Sequence, residues 1–351
     1  MLDPLLIRAD ASGEIGTGHV MRCLALAQAW KAEGGEVVML HAVRDQNIEQ
    51  RLSSEGVDSR SIDAKRGGRE DARRTLDQAR QIEADWIVVD GYAFDERYQD
   101  QIAESERSLL VIDDEANLSH YSGDLLLNQN LHARQEDYSS RLNVTMKLLT
   151  GPQYALLRKE FWRWRSWERE IPETACRLMV MLGGSDPDNI TSEVISSLDG
   201  VSVPGMEIYA VIGGSNPHEE AIREVAQSHR YSVHLLKNAE NIPELMANTD
   251  FAVSAGGSAI WELAFMQVPT IGIARASQEV RLLEVANNHG IVKNLGKAED
   301  LSWSSLKGSV EEMALDKEYR VSMADRGRST VDGRGAHRVV QSMSQLIDNS
   351  S

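Results

Sequence analysis

The chain has 351 residues, 42% of them hydrophobic and 26% charged, with a formal net charge of −17. That composition excludes a disordered chain and supplies enough apolar material for two domains of ordinary size. The acidic balance excludes nucleic acid as the expected partner, because phosphate backbones recruit basic surfaces; a single nucleotide held by backbone donors stays open.

Strand-like and helix-like segments alternate along the chain, the pattern of doubly wound parallel sheets. Leu5–Arg8 reads as the first strand. It runs into Arg8-Ala-Asp-Ala-Ser-Gly-Glu-Ile-Gly-Thr-Gly-His-Val-Met-Arg22, a glycine-rich strand-to-helix turn that sets His19 at the mouth of a helix. Backbone N–H groups at such turns hold anions or substrates. The positive helix end biases a histidine there towards its neutral form, the form a general base needs near pH 7. Gly16 and Gly18, crowded before it, point to a backbone that stays close to something. The helix continues over His19–Lys31, with Val20, Leu24, Ala27 and Trp30 at helical spacing and Gly34-Gly35 as its stop.

Val37–His41 is the next strand, and Trp86–Asp90 and Leu109–Asp113 are apolar runs that end in carboxylates. Leu125–Leu127 and Lys147–Leu149 complete a first domain over residues 1–160. Four acids, Asp10, Asp90, Asp113 and Asp114, thus fall at predicted strand ends, near His19, Arg22, Tyr92 and Asn128. In a parallel sheet these ends share one rim. Arg22 follows His19 by three residues on the same helical face. Asp10 is placed to orient the imidazole, as in a base-plus-orienter pair. The plainer reading makes each Asp a cap or turn residue. A third has the carboxylates hold Mg²⁺ on a diphosphate, but no ordered Asp-x-Asp pair supports it.

Residues 161–174, rich in Trp, Arg and Glu, read as a helix and linker. The pattern then restarts over 175–334, with strands at Leu178–Leu182, Glu207–Ile212, Val233–Leu236, Phe251–Ser254 and Thr270–Ile273. Two glycine-rich turns mark this half: Met181-Leu-Gly-Gly-Ser-Asp-Pro-Asp-Asn189 and Ser254-Ala-Gly-Gly-Ser-Ala-Ile-Trp-Glu262. Each follows a strand and opens a helix, which offers N–H groups to a phosphate. Glu262 is placed to accept the hydroxyls of a ribose. One Gly-Gly after a strand can be a tight connection only; two in one domain favour a nucleotide. Neither is a Walker A loop or a dinucleotide fingerprint. The tail over 335–351 carries Val339, Val340, Met343, Leu346 and Ile347, an amphipathic helix expected to pack back across the domains.

Several features take the plain reading. Cys23 and Cys176 are expected as buried thiols of a reducing compartment. Trp162, Trp164 and Trp167 are expected to pack the domain junction. Arg66, Arg69, Arg73 and Arg74, interspersed with acids, read as a solvated helix face. His218, His229 and His234 lack zinc spacing. No apolar run reaches the roughly 18 residues of a membrane span, and no cleavable leader is evident, so a cytoplasmic protein with no membrane insertion is expected.

Arg8-x-Asp10, Gly16-x-Gly18-His19-x-x-Arg22, Asp90-Gly91-Tyr92, Ile112-Asp113-Asp114, Asn128, Gly151-Pro-x-Tyr154-x-x-x-Arg158 and Gly183-Gly-Ser-Asp186 together resemble the UDP-sugar hydrolases of pseudaminic acid biosynthesis. The resemblance runs from about Leu6 to about Gly290. It implies the GT-B fold, two Rossmann-like doubly wound α/β domains facing each other across a cleft. It also implies release of UDP from UDP-2,4-diacetamido-2,4,6-trideoxy-β-L-altropyranose, with His19 activating water. Gly183, Gly184, Ser185 and Asp186 are then expected beside the nucleotide-sugar, and Asn189 near the sugar or diphosphate. Gly256, Gly257 and Glu262 are expected to hold diphosphate and ribose. Gly18 joins the UDP-sugar contacts, and Asp10, Arg22, Asp90, Tyr92 and Asn128 support the sugar side. In Ala276-Ser-Gln-Glu279 only Gln278 matches the Asn-Gln common in that family. A monomer with no cofactor and no metal is expected, its product entering nonulosonic acid, flagellin glycosylation or surface polysaccharide. The rivals are a GT-B glycosyltransferase with a hydroxyl acceptor, a non-catalytic nucleotide-sugar-binding partner, and a UDP-sugar 2-epimerase.

Overall fold

The structure is a computed structural model that describes residues 2–350 apart from 13, 14, 144 and 215, with backbone alone for 347–350. Gly13 and Glu14 of the turn before His19, and the side chain of Ile347, lie outside the described residues. The chain divides into two compact units, Met1–Lys159 with Gly333–Ser351, and Glu160–Asp332.

Among the described residues the first unit holds seven parallel strands: β1 (Leu5–Ala9), β2 (Val37–His41), β3 (Asp58–Ser61), β4 (Trp86–Asp90), β5 (Ser108–Ile112), β6 (Leu125–Asn128) and β7 (Lys147–Thr150), in the order β3-β2-β1-β4-β5-β6-β7. β1 and β4 are buried at every position, as strands covered on both faces are. The edge strand β3 reads Asp-Ser-Arg-Ser; it carries no apolar run, so the sequence did not announce it. The order reverses between β1 and β4, where Ala9 lies opposite Asp90. Such a switch point opens a crevice at the carboxyl ends of the strands.

The helix Gly18–Ala32 is buried from Arg22 to Trp30 on all sides, not on one face only. Its faces are taken by the sheet and by the C-terminal helix Gly335–Ser350, which belongs to the same unit. Arg8, in the middle of β1, is fully buried. Its Nε and Nη2 donate to the two oxygens of Asp71 at 2.9 and 2.8 Å, and its Nη1 lies 2.8 Å from Asp10. Tyr98 Oη donates to the same Asp71 at 3.2 Å.

The second unit holds six parallel strands among the described residues: β8 (Arg177–Met181), β9 (Glu207–Ile212), β10 (Ser232–Lys237), β11 (Phe251–Ala255), β12 (Thr270–Ala274) and β13 (Val292–Lys297). Their order is β10-β9-β8-β11-β12-β13, so the switch point falls between β8 and β11. Its core gathers Leu178, Val180, Val253 and Ile271 from the sheet with Val194, Leu198, Val310 and Met313 from helices. β13, Val-Lys-Asn-Leu-Gly-Lys, is too polar to be read as a strand beforehand.

In the stretch 161–174 the helix is short, Lys159–Trp162, and turns and irregular chain follow. Arg169 anchors it to the second unit by donating to the carbonyls of Met266, Thr249 and Met246, while Arg165, Arg163 and Arg169 lie over the rings of Trp162, Trp164 and Trp167. Of the cysteines, Cys23 is buried but Cys176 is partly exposed, because it precedes β8 at the start of the strand. Arg73 and Arg74 do form an exposed face, paired with Glu70 and Asp77.

Removing Asp71 takes the two-pronged partner from the buried Arg8 charge and leaves it Asp10 alone on the other nitrogen. Asp71→Ala is expected to cost about 3–5 kcal/mol of stability, read as a lower urea midpoint with an unchanged slope.

Candidate active site

At the first switch point, β1 leads to the helix that carries His19 and Arg22, and β4 ends at Asp90. His19 Nδ1 lies 2.7 Å from Asp90 Oδ1. An ionised carboxylate only accepts, so Nδ1 carries a proton, and in the neutral ring Nε2 is then the acceptor. Asp90 is fixed in turn by Arg22, whose Nε and Nη2 donate to its two oxygens, both at 2.6 Å. The same guanidinium donates to Asp114 through Nη1 at 2.8 Å and Nη2 at 2.9 Å. Arg22 therefore binds one carboxylate on each edge of its planar fork, the geometry that makes such pairs strong.

The electrostatics follow from this placement. Burial pushes the Asp90 carboxyl up, but Arg22 and then His19 more than offset it and hold the group well below the usual carboxylate range. Asp114 is lowered for the same reason, burial opposing and Arg22 prevailing. Cys23 donates to Asp90 Oδ2 at 3.4 Å, and burial pushes its thiol up. The Tyr92 ring meets the imidazole edge to face, 5.1 Å between centroids, and is 63% exposed. His19 is itself 11% exposed, so this corner is where the cluster opens to solvent. Gly16 has φ +80, and a Cβ there would meet no atom within 4 Å, so backbone conformation and not crowding calls for glycine; Gly18 is exposed.

Asp10 is not the orienter of His19. Its Oδ1 accepts from the N–H groups of Ala42 and Val43 at 2.8 and 3.1 Å, and its other oxygen faces Arg8. Asn128 does not open on the rim either: its amide donates to Tyr138 Oη at 2.7 Å and accepts from Asn130 N–H at 3.0 Å. Asp113 accepts from Tyr138 Oη at 2.6 Å, apart from the His19 group. The sequence reasoning missed Asn130, whose Nδ2 donates to Asp114 at 2.8 Å; a lone Asn two residues past a strand carries no signal of that role. Among the described residues no group of three or more His, Cys, Asp or Glu is arranged to hold a metal.

The second switch point brings the two glycine turns to adjacent strands, β8 and β11. Gly183 has φ +90, and a Cβ on it would lie 2.6 Å from Arg275 Nη1. Gly256 is packed against Glu279 and Leu283, whereas a Cβ on Gly257 would meet nothing within 4 Å. Glu262 is half-buried in the helix Ala259–Phe265, Ser185 is buried, and Gln278 is exposed. Asp186 and Asn189 are occupied locally. The Asp186 carboxylate, fully buried, accepts from the N–H groups of Ile190 and Thr191 at 3.0 and 2.9 Å and caps the helix Ile190–Leu198. Asn189 accepts from Ser192 Oγ at 2.8 Å.

Gly-Gly-Ser also occurs a third time, at 213–215, after β9. A Cβ on Gly213 would lie 2.2 Å from the carbonyl oxygen of Gly184, so glycine here lets the β9 and β8 turns touch. The repeated tripeptide is the sequence signal of that contact. Arg275 lies just outside the Ala276-Ser-Gln-Glu279 segment, and within that segment the resemblance drew attention to Gln278 and not to Glu279.

The glycosyltransferase family 28 C-terminal domain model matches residues 178–334. The chain is similar to a UDP-2,4-diacetamido-2,4,6-trideoxy-β-L-altropyranose hydrolase of Campylobacter jejuni, 24% identical over 267 residues, 75% of this chain and 88% of that one. It is similar to the spore coat polysaccharide biosynthesis protein SpsG of Bacillus subtilis, 25% identical over 216 residues and 60% of this chain. The chain spans 63% of the length of the Bacillus protein and 54% of a relative from Methanocaldococcus jannaschii. Among solved structures, MurG of Acinetobacter baumannii superposes with a TM-score of 0.71 over 98% of this chain and all of that one, at 14% identity. With its two parallel Rossmann-like sheets, the chain has the GT-B fold. Among the described residues no helix is long and apolar enough to cross a membrane.

The lowered Asp90 carboxyl makes a prediction about acid. A depressed carboxylate adds stability above its unfolded value, near 4, and that stability is lost as pH falls through the lower folded value. The stability gap between wild type and Asp90→Asn should therefore narrow as pH drops below about 4. Urea midpoints from about pH 7 down to about pH 2.5 test this; a constant gap contradicts it.

Proposed function

We propose that the protein hydrolyses a UDP-linked diacetamido-trideoxyhexose, releasing UDP and the free sugar. The observation that carries this reading is His19 held by Asp90, with Asp90 clamped by Arg22. A nucleotide-binding module needs no such oriented imidazole, and a relative with the hydrolase name supports the substrate class.

In this reading the first unit, near residues 1–160 with the tail, carries the chemistry, and the second, near 175–334, carries the nucleotide. Gly183, Gly184 and Ser185 lie beside the diphosphate; Gly256 and Gly257 cradle it, Glu262 takes the ribose, and Gln278 reaches the sugar. His19 Nε2 takes a proton from water as the water oxygen bonds to the anomeric carbon. The bond from that carbon to the diphosphate oxygen breaks, and UDP leaves with the electron pair. One displacement inverts the anomeric centre. Asp90, on the far nitrogen, stabilises the imidazolium that forms and does not take its proton. Tyr92 borders the sugar. The protein works as a cytoplasmic monomer in surface glycoconjugate synthesis, without a cofactor.

The test is incubation with candidate UDP-sugars and no acceptor, following UDP release and the anomer formed by NMR. Release that requires an added hydroxyl compound would make the protein a glycosyltransferase; no release under any condition would make it a binding partner. His19→Asn should lower the rate of UDP release about 10²–10⁴-fold while UDP still binds. Full activity in that variant removes His19 from the base role. Gly257→Ala meets no protein atom, so it should leave the melting temperature unchanged and weaken UDP binding, as seen by calorimetry.

A further inference from the structure

The rim of the second unit holds a cation that no motif announced. Arg275 follows β12, and its guanidinium lies against Gly183, the first glycine of the β8 turn. Its Nη2 donates to Glu279 Oε1 at 2.6 Å. The second Glu279 oxygen accepts from Arg275 N–H at 2.8 Å and faces Gly256 N–H, at the β11 turn, at 3.4 Å. Glu279 is buried and also fills the space beside Gly256, where a Cβ would lie 2.8 Å from its own Cβ. The pair thus touches both glycine turns that flank the switch point. The arginine is not saturated: its Nε is buried with no partner among the described residues, although a guanidinium carries five N–H donors. The side chain retains 22% exposure, so a ligand reaches it.

A guanidinium held between two turns of backbone donors can bind two oxygens of a phosphate at once. We propose that Arg275 binds the diphosphate of the nucleotide and carries the charge that grows on it as the glycosidic bond breaks, with Glu279 as its positioning residue. This rests on the nucleotide reading above and adds to it the group that neutralises the leaving UDP. Glu279 sets the arginine's direction through Nη2 and leaves Nη1, which lies against the Gly183 turn, for the ligand.

Isothermal titration with UDP and with uridine separates this from a structural ion pair. Uridine shares base and ribose with UDP and lacks the phosphates. Arg275→Met should weaken UDP binding about 10–100-fold, the range of a charge-assisted hydrogen bond, and leave uridine affinity within about twofold. Arg275→Gln, which retains a donor for Glu279, should show the same split and serves if the methionine variant fails to fold. Glu279→Gln should weaken UDP selectively as well, because the arginine loses its fixed direction. Equal losses for UDP and uridine, or no loss for UDP, overturn the role of Arg275 while leaving the nucleotide site intact. A wild-type protein that binds neither ligand overturns the nucleotide reading and this inference together.

Discussion

One guanidinium organises the first unit's rim. Arg22 donates to Asp90 along one edge and to Asp114 along the other. Two buried carboxylates so close together would otherwise take up a proton between them, since like charges in a low-dielectric setting disfavour joint ionisation. With Arg22 present both stay ionised, and Asp90 can accept from His19. The direction of the imidazole therefore depends on a residue one helical turn away. Desolvating three charges is costly, and the geometry offsets that only because almost every oxygen and nitrogen finds a partner. Asn130 supplies one of those partners from a loop with no motif of its own.

Both units place their distinctive residues at the same topological position. In the first, the strand ends beside the reversal carry Asp90 and the turn before His19; in the second, they carry the two glycine turns. The switch point explains where chemistry can sit, but it does not say which chemistry. That information lies in side chains. An oriented imidazole with an ionised carboxylate differs in kind from backbone donors with a single cation, and the first suits proton transfer while the second suits an anion.

The fold was largely legible because parallel strands are buried on both faces and so appear as unbroken apolar runs. Trp86–Asp90 and Glu207–Ile212 match the observed strands residue for residue. β3 and β13, edge strands with polar composition, lack that signature. Within the site, His19, Arg22 and Asp90 were legible from the spacing Gly-x-Gly-His-x-x-Arg and from a carboxylate at a strand end. Which acid faces the imidazole was not. Asp10 and Asp90 both end central strands, and the choice is made by Arg8 and the Ala42–Val43 amides, which capture Asp10. Asp186 is ambiguous for a similar reason: beside a glycine turn, a ligand contact and a helix cap have the same sequence appearance.

The helix that bears His19 and Arg22 is covered by residues from the other end of the chain. The stretch Gly333–Ser351 belongs to the unit built from Met1–Lys159, and its helix packs on Gly18–Ala32. On the ribosome, the first unit therefore waits for its last piece while the whole second unit is made. At roughly 5–20 residues per second, that delay is on the order of ten seconds or more. Throughout it, one side of a helix that ends up buried all round faces water or a chaperone. The second unit, continuous in sequence, faces no such wait, so it can mature while the first is still open.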